Sequence, residues 1–149
     1  MIKKHIVLIS LIFFLTHCGF SPIYLKNTNA DFSIENVNYN GDRDLNNFLK
    51  TNLDQYKNEE SDRKILIEAT SEYEKIILTK NTAGEVTNYK LIANVTFLIK
   101  STNKKINITE EKIISSMDDK FEESRKERAA KENFARSISN KLISELVIN

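Results

Sequence analysis

Tyr89-Lys90-Leu91-Ile92-Ala93-Asn94-Val95-Thr96-Phe97-Leu98-Ile99-Lys100 is the stretch that decides the fold. Its residues alternate without a break. Tyr89, Leu91, Ala93, Val95, Phe97 and Ile99 share one face, while Lys90, Ile92, Asn94, Thr96, Leu98 and Lys100 share the other. A period of two belongs to an extended strand, in which successive side chains point to opposite faces. One face here is purely apolar and must be covered; the other is mixed.

Reading outward toward the C-terminus, Ser101-Thr102-Asn103-Lys104 makes a tight turn, and Lys105 to Ser116 forms another strand through Ile106, Ile108, Ile113 and Ile114. A long helix follows from about Asp118 to Val147. Asp118, Asp119, Glu122 and Glu123 crowd its start, where the helix dipole favours negative charge. Its expected apolar stripe is Phe121, Ala129 or Ala130, Phe134, Ile138, Leu142 and Leu146. Toward the N-terminus, residues 79–85 form a hairpin loop in which Gly84 supplies a positive φ. Before it, Arg63 to Thr79 alternates, with Ile65, Ile67, Ala69 and Tyr73 on one parity. A helix capped by Asp42 or Asp44 carries Leu45, Phe48, Leu49 and Leu53 on one stripe and fades near Lys57. A first strand holds Phe32, Ile34, Val37 and Tyr39, and its alternation slips by one near Asn36, the mark of a bulge. These elements predict an α+β fold: a two-layer sandwich with a four-stranded, mostly antiparallel sheet packed by two helices, in the order β-α-β-β-β-α. Residues 31–149 read as a single domain with no internal repeat.

Composition is that of an ordinary globular chain, 40% apolar and 29% charged, with 22 basic and 21 acidic residues among 149. Such a balance gives no bulk attraction to nucleic acid. The N-terminal 17 residues read as a signal peptide. Lys3 and Lys4 precede an apolar run from Ile6 to Leu15, too short to span a bilayer, and Thr16-His17-Cys18 ends it. The only cysteine, placed there with Leu15 three positions earlier, resembles the lipobox of bacterial lipoproteins, although His17 stands where Gly, Ala or Ser is usual. In that reading Cys18 is the lipid attachment site and residues 18–30 are a lipidated tether. An ordinary secretory leader cleaved elsewhere, or an uncleaved anchor, is the alternative. Both histidines, His5 and His17, lie in the leader. The mature chain therefore offers no histidine for acid–base catalysis and no His/Cys metal site. No catalytic residue, metal or cofactor is expected.

The segment Cys18-Gly19-Phe20-Ser21-Pro22-Ile23-Tyr24 resembles the opening of the mature LPS-assembly lipoprotein LptE family, alphaproteobacterial type. The order of elements matches as well, including a Gly84 to Tyr89 step into the middle strand and a long charged final helix. The resemblance implies a non-enzymatic lipoprotein held at the periplasmic face of the outer membrane by its N-terminal lipid. It further implies a protein that plugs an LptD-like β-barrel, assists its assembly and binds lipopolysaccharide in transit. Gly19, in place of aspartate after the cysteine, favours sorting to the outer membrane. An auxiliary lipoprotein of an ABC-type lipid or solvent transporter is the competing reading.

Candidate contacts follow from the mixed face. Lys90 and Lys100 bracket it, Lys104 and Lys105 lie in the adjoining turn, and Lys80 sits at the other hairpin. Together they could line one sheet surface that meets lipopolysaccharide phosphates or an acidic barrel wall. The plainer reading is that they guard sheet edges and keep turns soluble. Ile92, Leu98 and Leu66 add apolar surface to the same face, which would suit a barrel interior or a dimer. The acidic pairs Glu59-Glu60, Glu110-Glu111, Asp118-Asp119 and Glu122-Glu123 read as solvated or dipole-complementing groups, because neighbours in a strand point to opposite faces.

Overall fold

The computed structural model describes residues 31–59 and 61–148. The signal peptide, Cys18 and the whole tether of residues 18–30 thus lie outside the described residues. Strand β1 (Ser33–Gly41) leads into helix α1 (Arg43–Leu53), which tightens into a 3₁₀ turn over Asp54–Tyr56. Strands β2 (Lys64–Lys80), β3 (Val86–Ile99) and β4 (Lys104–Ser115) follow, and helix α2 (Lys120–Val147) closes the chain. The sheet order is β1-β2-β3-β4. Strand β1 runs parallel to β2, and the β2–β3 and β3–β4 pairs are antiparallel. A parallel pair cannot be joined by a tight turn, and α1 supplies the crossover it needs. The α+β sandwich with the order β-α-β-β-β-α is therefore present.

Local chemistry sets the element ends. The β1 register shifts between Ile34 and Asn36, where the alternation slips. Gly41 turns the chain at φ +99°, and a Cβ there would lie 1.8 Å from the Ser71 carbonyl oxygen, so only glycine fits. Asp42 then caps α1 by accepting from the Leu45 N–H at 2.8 Å. In the β2–β3 hairpin the Asn81 side chain accepts from the Ala83 and Glu85 amides at 3.0 and 2.9 Å, and Gly84 has φ +84°. Asp119 caps α2 through the Phe121 and Glu122 amides.

The core lies between the helices and one face of the sheet. Leu91, Ala93, Val95, Phe97 and Ile99 of β3 are buried against Leu45, Leu49 and Leu53 of α1 and Phe134, Ile138 and Leu142 of α2. Burying each large apolar side chain contributes about 1.5–3 kcal/mol. One expectation fails: Phe121 is 70% exposed and does not belong to the α2 stripe, whereas Ala130 is buried. At about 100° per residue, the nine positions between Phe121 and Ala130 put them on opposite sides of the helix. Seven positions put Glu123 on the core side, and Glu123 is indeed buried.

Candidate partner-facing surface

Because both helices cover the same side of the sheet, the opposite face is left open among the described residues. Cross-strand register gives its rows: Glu68-Leu98-Lys105, Thr70-Thr96-Asn107, Glu72-Asn94-Thr109, Glu74-Ile92-Glu111 and Ile76-Lys90-Ile113. Leu66, Ile76 and Ile113 remain substantially exposed near its two ends, separated by a polar middle in which Thr109 donates to Asn94 Oδ1 at 2.8 Å. The face is mixed in character and spans five cross-strand rows.

The five candidate lysines separate once the strands are paired. Lys90, Lys100 and Lys105 lie on the open face. Lys90 Nζ is 2.7 Å from Glu111, and Lys100 Nζ is 2.6 Å from Glu68, so two of the three heads are already neutralised by neighbours. Lys105, opposite Leu98, makes no ion pair among the described residues. Lys104 is opposite Ile99 and therefore on the helix side, where it pairs with Glu145 at 3.1 Å. Lys80 stands at the far hairpin beside Val86 and is also without an ion pair among the described residues. The acidic pair Glu110-Glu111 divides as strand geometry requires. Glu111 faces out to Lys90, while Glu110 accepts from Ser137 at 2.6 Å and meets Lys141 at 2.7 Å on the helix side. Burial opposes ionisation of Glu110, but those two bonds outweigh it and hold its carboxyl below the usual range. Among the described residues no three His, Cys, Asp or Glu side chains gather as a metal site.

Sequence reasoning missed an ionic cluster between the sheet and the N-terminal half of α2. Glu123 accepts from the Met117 amide, Lys120 and Lys75, each at 3.0 Å. Lys75 also reaches Glu127 at 2.9 Å and lies 4.4 Å from the centre of the Tyr89 ring. Tyr73 donates to Glu127 at 3.0 Å, and Lys131 sits over the Tyr73 ring at 4.0 Å while pairing with Asp42 at 3.3 Å. The amide of Met117, followed by Lys75, pulls the Glu123 carboxyl down to about 2. Burial, then the bond to Glu127, pushes the Tyr73 hydroxyl far up, and it stays a donor. Burial works against the Lys75 ammonium, but its two carboxylate partners win and raise it. The signal was present in the helix periodicity: Glu123, Glu127 and Lys131 continue, four apart, the stripe that Phe134 and Ile138 follow on in apolar form.

These features define a class, the one-sided α+β sandwich with helices on one face of its sheet. Solved structures share that fold. Rare lipoprotein B from Shewanella oneidensis superposes with a TM-score of 0.56 at 14% identity, covering 74% of this chain and 92% of its own. Lipoprotein B from Nitrosomonas europaea gives 0.55 at 14% identity over 79% and 86%. A minor lipoprotein from Acinetobacter baumannii gives 0.52 at 16% identity over 78% and 94%. No family model and no curated protein matches the sequence.

Proposed function

We propose that this chain is an outer-membrane lipoprotein, acylated at Cys18, whose open sheet face seats against the wall of a large LptD-like β-barrel. There it assists assembly of the barrel and contacts lipopolysaccharide on its way to the outer leaflet. The observation that carries the reading is the uncovered face itself: long, apolar at both ends, with the charges of Lys90 and Lys100 already paired. Around Lys90 and Lys100 such a face can be buried against a partner wall without stranding their charges, because both bring their counter-charges with them. Lys105 and Lys80, without such counter-charges, are the groups left for a phosphate. The Cys18 to Tyr24 opening and the fold shared with three lipoproteins support the same reading. The proposed role is structural and transport-assisting, with no chemical step.

Affinity purification of the full chain from membranes solubilised in mild detergent tests this reading. Recovery of a large β-barrel is the expected result. Recovery of inner-membrane transporter subunits instead would replace the barrel with the ABC-type alternative.

A further inference from the structure

Strand β1 covers the outer edge of β2 only as far as Ser71, its partner at Gly41. There Gly41 turns away, the Asp42 amide closes on the Ser71 carbonyl at 3.1 Å, and the chain enters α1. Strand β2 runs on to Lys80, so no described strand pairs with its outer edge beyond Ser71. Register shifts at Ile77/Thr79 and Thr79/Lys80 end the regular ladder. What remains is a regular edge of six residues, Glu72–Ile77, collinear with β1. In such an edge alternate residues offer their N–H and C=O outward, an arrangement that invites strand addition.

Side chains specify what could be added. Glu72, Glu74 and Ile76 point to the open face of the sheet, and their neighbours across β3 are Asn94, Ile92 and Lys90. Neither Glu72 nor Glu74 has an ion pair or hydrogen bond through its carboxylate among the described residues. They are two uncompensated negative charges at alternate positions, followed by an aliphatic side chain that is 44% exposed. A second copy of the same edge is a poor occupant. Two-fold antiparallel pairing that uses most of the stretch sets Glu74 against Glu74 or Lys75 against Lys75, and like charges directly opposite are destabilising.

We propose that the edge Glu72–Ile77 takes up an extended segment of a partner protein carrying Lys or Arg at two alternate positions next to an aliphatic residue. The added strand would extend the row that β1 begins. This site is the backbone edge at the margin of the open face, and strand addition there does not depend on the barrel reading.

The test uses the full chain in detergent and three fluorescent eight-residue probes: alternating Lys and Val, alternating Glu and Val, and the Lys-Val peptide with its backbone amides N-methylated. Binding of the Lys-Val peptide is expected to be at least tenfold tighter than that of either other probe. Glu72→Lys with Glu74→Lys should remove the preference for the Lys-Val over the Glu-Val peptide while leaving the circular dichroism unchanged. Hydrogen exchange should show new protection within residues 72–77. Equal binding of the N-methylated peptide would overturn strand addition in favour of simple charge attraction. Protection confined to β4, or self-association of the chain through this edge, would overturn it equally.

Discussion

Replacing Glu123 with glutamine keeps the shape of the side chain and removes one charge from the cluster beneath α2. The carboxylate meets the Met117 amide, Lys120 and Lys75 at 3.0 Å each and the Ser116 hydroxyl at 3.3 Å, and the residue is only 5% exposed. A glutamine must turn its NH₂ toward at least one of these donors. Hydrogen bonds to a charged group contribute about 1.5–3 kcal/mol, and breaking a buried pair costs about 3–5 kcal/mol when the survivor is stranded. Lys75 is not stranded, because Glu127 remains at 2.9 Å. A loss of about 2–3 kcal/mol is therefore expected. The depressed carboxyl, held down first by the Met117 amide and then by Lys75, points in the same direction. For a domain of this size the melting temperature should fall by about 8–15 °C at pH 7. The sign of the pH dependence is also fixed. A carboxyl lowered in the folded state stabilises fully above its unfolded value, and the benefit disappears as pH falls through the folded one. Thermal unfolding of both proteins followed by circular dichroism should thus show the gap narrowing between about pH 5 and pH 2. Equal stability at pH 7, or a gap that stays constant into acid, would refute the assignment of Glu123 as a buried ionised hub.

Three further outcomes follow from the packing and the leader. Phe97→Ala, at a fully buried site, should cost about 3–5 kcal/mol in urea unfolding, whereas Phe121→Ala should stay within about 0.5 kcal/mol. Equal costs would put Phe121 back in the core. Gly41→Ala should destabilise by more than about 2 kcal/mol, because φ is +99° and the added carbon would meet the Ser71 carbonyl; a neutral result would mean that β1 ends differently. Cys18→Ala should leave the protein unacylated, either uncleaved or released, as read by mass spectrometry of the N-terminus. An unmodified Cys18 thiol in the wild-type protein would remove the lipid anchor from the account.

Much of the architecture was legible because it rests on local periodicity. The unbroken alternation from Tyr89 to Lys100 identified the central strand and its buried face, and the slip near Asn36 identified a real bulge. The parallel pairing of β1 with β2 was not legible, since alternation sets which face a residue takes and says nothing of which strand lies beside it. The lysines show the same limit. Lys104 and Lys105 are adjacent in sequence, yet cross-strand register sends one to Glu145 under the helices and the other to the open face. Phe121 was misplaced for a different reason: apolar character outweighed angle in a helix whose first turns bury an acid instead. Charged residues that continue an apolar stripe, as Glu123, Glu127 and Lys131 do, are the signal to look for, because they mark a core that changes from apolar to ionic along its length.

The central claim is that the open face of the sheet is covered by a β-barrel. A photo-crosslinking residue at Thr96, in the middle row of that face, tests it in living cells, with Lys126 on the exposed side of α2 as the control. Ultraviolet irradiation should join Thr96, and not Lys126, to one large outer-membrane barrel. Capture of an inner-membrane transporter subunit from Thr96, or equal capture of the barrel from both positions, would contradict the account.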